Sequence, residues 1–193
     1  MSSNHFVFKN MAVDLLVSKE RVKEGVVIAK QPHRDVVGVI ETGNEELDAY
    51  DALVTENKNI KIGVFTADCA PITYADGEKI GVAHVGWKGL CLGLAQKMLP
   101  YFSQDKLEVF VGPHLYIFEI QKDECYDQLE KVFSNKFFLE KDGKIFFQYK
   151  EALASCLPPQ TIFDDRMTGL SSGLPSHRLN KTTERLITVV QFI

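Results

Sequence analysis

TADCAPITYADGEKIGVAHVGWKGL, residues 66–90, holds one cysteine (Cys69), one histidine (His84) and the single tryptophan of the chain (Trp87). Two short glycine-flanked segments lie within it, and the cysteine closes the run GVFTADC as the histidine closes GVAH, each where an apolar run gives way to a loop. Three readings compete. The pair is a buried thiol and a core imidazole on two ordinary strands, a Cys-His nucleophile pair, or two corners of a metal site.

Working outward, the neighbouring segments GVVIA (25–29), VVGVI (36–40), DALVT (51–55), IKIGVFTA (60–67), KIGVAHV (79–85) and LEVFVGP (107–113) are short, rich in Val and Ile, and bounded by Gly, Asn, Asp or Pro. They read as strands. Residues 88–102 place Leu90, Gly93, Leu94, Met98 and Tyr101 at helical spacing, and residues 122–134 put Tyr126, Leu129, Val132 and Phe133 on one face. Both are expected to be helices, as is 146–157, and the chain is expected to close on a strand at 185–193. Strand follows strand more often than helix, so the expectation is an α+β fold with mixed sheets flanked by helices, in one domain over 1–193, and not a doubly wound sheet.

Composition narrows the function. The 193 residues are 45% hydrophobic with a formal net charge of -4, and no basic block invites a nucleic acid or an anionic membrane. The expected partner is a small molecule. No signal-like start and no apolar run near the ~18 residues of a membrane span is present, so the expected location is cytoplasmic. Four cysteines, none in a C-x-x-C pair, argue against a disulfide framework and a closed zinc knuckle. The phosphate-binding, dinucleotide-binding, zincin and nucleophile-elbow signatures are absent. What remains is His33, in KQPHRD after an apolar strand, together with Cys69 and His84. Spacing alone leaves the three readings open, because a lone buried cysteine most often packs as a small hydrophobe.

TADCAPITYAD and IGVAHVGWKGL resemble the TADC-P and AHAGWRG signature of the YfiH-like, or laccase-domain, family, known as polyphenol oxidases and as purine nucleoside-metabolising enzymes. AKQPHRDVV (29–37), YDALVTENKNI (50–60), LEVFVGPHLYIFEI (107–120) and SHRLNKTTERLITVV (176–190) resemble further family segments. The resemblance implies a zinc held by His33, Cys69 and His84, three ligands that leave a fourth position for chemistry. It implies phosphorolysis of adenosine, inosine, guanosine and methylthioadenosine, and deamination of adenosine. Cys69, His84 and Asp68 are then the expected catalytic residues, with Asp51 as the other candidate for orienting an imidazole. Lys88, Arg178 and His114 are the expected substrate-binding residues, with purine nucleosides and phosphate as substrates.

Three departures stand beside the resemblance. No residue of 1–28 matches the family's opening segment, HLYIFEI lacks the cysteines of the corresponding loop, and SHRLN keeps one arginine of SYRRD. Copper is the alternative metal, for a phenol oxidoreductase, although five histidines and no H-x-H pair rule out a multicopper cluster within one chain. A metal-free Cys69-His84 hydrolase or deamidase and a non-catalytic metal-binding domain complete the alternatives. Oligomeric state has no sequence signal.

Overall fold

The computed structural model describes residues 4–20, 24–169 and 171–193. It is an α+β fold of three sheets. A five-stranded sheet runs in the order β1 (His5–Phe8), β2 (Met11–Ser18), β14 (Arg185–Phe192), β6 (Lys61–Thr66) and β3 (Val26–Ile28). A six-stranded sheet runs β13 (Ile162–Phe163), β9 (Glu108–Val111), β7 (Ala70–Ala75), β8 (Ile80–Val85), β5 (Ala52–Thr55) and β4 (Val37–Val39). A small antiparallel sheet orders β10 (Ile117–Ile120), β12 (Lys144–Gln148) and β11 (Phe138–Lys141).

The six-stranded sheet is the middle layer, and its central strands β5, β7 and β8 are buried along their whole lengths. A strand covered on both faces reads as a continuous apolar run, which is why 51–55 and 79–85 lack polar alternation. Side chains of a strand still alternate between faces. Leu53, Ala75, Ile80 and Val82 pack against Val13, Ile62, Val64 and Val190 of the five-stranded sheet. Ala52, Val54, Ile72, Tyr74, Ala83 and Val85 face the helices α1 (Trp87–Cys91), α2 (Leu94–Met98), α3 (Glu124–Phe133) and α4 (Tyr149–Ala154). Truncating a fully buried side chain such as Leu53 costs roughly 2–5 kcal/mol. By the same alternation Asp51, Cys69 and His84 continue the face that looks toward the five-stranded sheet.

Several sequence expectations are corrected. Residues 88–102 form two short helices and a 3₁₀ turn, because Gly93 adopts φ 75° and ends the first helix. Leu90, Leu94 and Met98 are buried as their spacing requires. Residues 146–148 belong to β12, where Phe146 and Phe147 pair with both neighbouring strands, so only the later part of 146–157 is helical. Val132 is 49% exposed, and Leu129, not Val132, is the buried anchor of α3. Among the described residues no helix is long and apolar enough to cross a membrane.

Candidate metal centre

Strand register assembles the site. β7 and β8 pair antiparallel with Pro71 opposite His84, and β5 pairs with β8 so that Asp51 falls beside His84. The His84 amide donates to the Asp51 carbonyl at 2.8 Å. Cys69 does not end a strand as the sequence suggests. β6 stops at Thr66, and Ala67, Asp68 and Cys69 form a bend in which Asp68 takes φ 91°. That left-handed backbone is strained for a residue with a side chain, and such strain persists only where the surroundings enforce it. His33 lies in the bend after β3 at φ 62°. Ahead of it, the Gln31 side-chain amide makes both bonds to the backbone of Phe65 (Nε2 to O 2.6 Å, N to Oε1 2.8 Å), which extends the β3–β6 pairing through a side chain.

These three bends converge. The ligand atoms of His33, Cys69 and His84 all lie within 4.8 Å of one another, and the two imidazoles meet edge to face at 4.8 Å. Beneath them Asp51 is 0% exposed. Its carboxylate accepts from His84 Nδ1 at 2.9 Å, from the His33 amide at 3.0 Å and from the Arg34 amide at 2.6 Å. Three N–H groups thus converge on this one buried carboxylate. The bond from Nδ1–H to Asp51 turns His84 Nε2 toward Cys69 and the site, where the deprotonated nitrogen would offer its lone pair to a metal, the arrangement by which a buried carboxylate orients a metal-ligating histidine.

The electrostatics make a thiolate available. Burial opposes ionisation of Cys69, but His84 beside it and hydrogen bonds from His33 and His84 outweigh that cost and hold its pKa below the ordinary thiol range. Burial likewise opposes charge on His84, and Cys69 and Asp51 together raise its pKa. A thiolate is the form that binds a metal or attacks an electrophile. The donor set of one thiolate and two imidazoles, with no fourth protein ligand among the described residues, fits a divalent ion of the zinc type with one open position. Gly86 leaves the space for it. A Cβ there would lie 3.0 Å from Cys69 Sγ and 3.6 Å from His33 Cδ2.

The three side chains open into a cavity of about 900 Å³ between the ends of the two large sheets. Ile28, Leu47, Phe65 and Trp87 supply apolar wall, while His177, Arg178 and Arg185 form a basic rim. Asp68 also reaches this cavity. Its carboxylate accepts from Thr168 Oγ1 (3.1 Å), Ser176 Oγ (2.5 Å) and the Arg178 amide (2.7 Å), so it fastens the basic rim, and these bonds go to none of the histidines. Asp51, at the start of DALVT, takes the imidazole-orienting place. Arg178 faces the cavity with its guanidinium 4.6 Å from the Phe118 ring.

Two of the expected substrate-binding residues lie outside the cavity lining. Lys88 is exposed outside the cavity lining, with its ammonium 5.3 Å from the Trp87 ring, because the first turn of α1 directs Gly89 and Leu90 inward instead. His114 is 0% exposed and absent from the lining. It follows the Gly112-Pro113 turn behind β7, bonds the Gly112 carbonyl through Nδ1 at 2.8 Å, and sits among Tyr116, Tyr149 and Phe163. Arg185 and His177 are lining residues that the sequence reading passed over. The start of a strand, where Arg185 stands, is the signal that could have found it.

A family model described as a multi-copper polyphenol oxidoreductase laccase matches residues 5–191, so the match includes the N-terminal strands where motif comparison found none. A purine nucleoside phosphorylase of Aquifex aeolicus is 33% identical over 175 residues, 87% of this chain and 83% of that protein. An adenosine deaminase, RL5, from an unknown prokaryotic organism is 30% identical over 130 residues, 58% of this chain and 49% of that protein. Among solved structures, the Neisseria meningitidis protein NMB0706 superposes with a TM-score of 0.82 at 17% identity over 98% of this chain and 99% of the other. Bacillus licheniformis YfiH superposes at 0.74 with 24% identity over 88% and 74%. The two superpositions establish a shared fold, and the family match over almost the whole length shows that the chain belongs to the YfiH-like, laccase-domain family.

Proposed function

We propose that the chain is a zinc-dependent purine nucleoside phosphorylase that also deaminates adenosine. The observation that carries this reading is the convergence of His33, Cys69 and His84 on the wall of a cavity that pairs apolar surface with a basic rim. Relatives named purine nucleoside phosphorylase and adenosine deaminase support the choice of substrate. Zinc, when bound, supplies Lewis acidity at the open position.

The chain's own groups do the rest. Phe65, Leu47 and Trp87 offer the apolar surface on which a purine packs, and the aromatic faces suit stacking. Arg178 and Arg185 balance the charge of phosphate and hold it for attack at C1′. In phosphorolysis a phosphate oxygen bonds C1′ as the bond from C1′ to the purine nitrogen breaks, and the purine leaves with the electron pair. In deamination, water adds at C6 and ammonia departs. Asp51 keeps the proton on His84 Nδ1, so His84 stays a ligand and does not act as the acid. Asp68 keeps the Arg178 segment seated.

The test is metal analysis of the purified protein followed by adenosine turnover with and without phosphate. The expected result is about one zinc per chain, adenine and ribose 1-phosphate with phosphate present, and inosine with ammonia in both conditions. Turnover unaffected by chelation and by metal add-back overturns it. One observation favours a second reading: the depressed thiol pKa beside a buried imidazole also suits a Cys69 nucleophile. In that case iodoacetamide abolishes activity while chelators leave it intact. Oxygen consumption with phenols that follows native copper content marks the oxidoreductase alternative.

A further inference from the structure

Tyr149, the first residue of α4, has no part in the cavity lining, yet its hydroxyl ends beside the start of β7, next to Cys69, and the end of β8, next to His84. It is 2% exposed, with its ring 5.9 Å from His114 and 6.1 Å from Phe118. The hydroxyl accepts from the Ala70 amide at 3.4 Å and donates to the Val85 carbonyl. Ala70 follows Cys69, Val85 follows His84, and Ala70 and Val85 are cross-strand partners at the open end of the β7–β8 ladder.

The directions of the backbone groups show why this tie matters. The His84 amide turns away to Asp51 on β5's side, and the Pro71 carbonyl turns away to the Gly112 amide on β9's side. The Pro71–His84 pair is therefore not bonded across the ladder, and Pro71 has no N–H to give. The connection between β7 and β8 nearest to the ligands is at Ala70 and Val85, where the phenol sits. Among the described residues no other side chain hydrogen-bonds to both Ala70 and Val85.

We infer that Tyr149 is a positioning residue that sets the spacing of Cys69 and His84 by bridging the residues that follow them. This rests on the metal-binding reading above. Removing the hydroxyl oxygen frees the two strand ends to splay, and groups supporting metal ligands are typically worth about 10- to 100-fold in affinity.

The experiment measures zinc affinity of the full chain by competition with a chromophoric chelator, for wild type, Tyr149→Phe and Tyr74→Phe. Tyr74 is the matched control: it is 0% exposed, and its hydroxyl donates to the Ala95 carbonyl at 3.1 Å in the helix-packed core. Both variants are expected to melt earlier than wild type. Tyr149→Phe is expected to bind zinc 10- to 100-fold more weakly, while Tyr74→Phe stays within about threefold. Equal zinc affinity in wild type and Tyr149→Phe, or an equal loss in both variants, overturns the inference and leaves the zinc reading standing. A wild type that binds no zinc ends both. If Tyr149→Phe does not fold, 4-aminophenylalanine at 149, which keeps a donor, against 4-methylphenylalanine, which fills the space without one, repeats the comparison: retained affinity with the first alone supports it, and equal affinities overturn it.

Discussion

Two buried histidines stand on opposite sides of β7 and answer burial in opposite ways. His84 is 4% exposed and His114 is 0% exposed, so solvent access does not separate them. His84 has Asp51 against one nitrogen and Cys69 near the other, and its pKa rises. His114 has a carbonyl against Nδ1, no hydrogen-bond partner at Nε2 among the described residues, aromatic rings around it, and a pKa that burial pushes down to about 4. Desolvation favours the neutral form in both, and an anionic partner reverses it in one. The neighbours, not the depth, turn a core imidazole into a reactive one.

The largest expected effect on this contrast comes from Cys69→Ala, which removes the thiolate beside His84. Metal analysis should show loss of stoichiometric metal, and nucleoside turnover should fall by roughly a thousandfold or more. Asp51→Asn keeps the shape but cannot accept as an anion from His84 Nδ1 and two amides. Metal affinity is expected to drop about 10- to 100-fold in chelator competition.

On the other side of β7 the probe is pH. His114 titrates near 6.5 in the unfolded chain and near 4 in the folded one, so between those values the unfolded state binds more protons. Its contribution is fully present above about pH 6.5 and is lost as pH falls toward 4. Denaturant titrations should show wild type losing on the order of 2 kcal/mol more than His114→Leu across that window. A flat difference between the two proteins removes the contrast.

Gly86→Ala presses a methyl group toward Cys69 Sγ at 3.0 Å, while φ −96° accommodates the substitution. A several-fold loss of metal affinity at unchanged melting temperature is expected. Lys88→Ala should change neither KM for phosphate nor kcat by more than about twofold, since its ammonium rests on Trp87 outside the cavity.

The strands were readable because β5, β6, β8 and β9 are short apolar runs with turn residues at their ends. The helix over 88–102 was readable only in its buried spacing, since Gly93 interrupts the backbone without disturbing which side chains face inward. His33, Cys69 and His84 were identified through family resemblance added to their places at strand ends. Distance along the chain carried little, because sheet order and not sequence separation brings β3, β7 and β8 together. The rim failed for a different reason. Proximity to Gly-Trp or Gly-Pro places Lys88 and His114 near the site in sequence but does not say toward which face a side chain turns. Tyr149 left no trace in sequence, since one hydroxyl among six tyrosines acquires its role only from the register of two distant strands.

Asp51 has a consequence beyond orienting one ring. It holds His84 by the side chain and the His33 segment by two amides, so the two imidazoles rest on one support. Their freedoms are correlated: fixing one narrows the orientations open to the other. An ion that closes this chelate meets ligands with less conformational entropy left to lose, and substitutions at His33 and His84 should be non-additive because each also unsettles the carboxylate that serves the other.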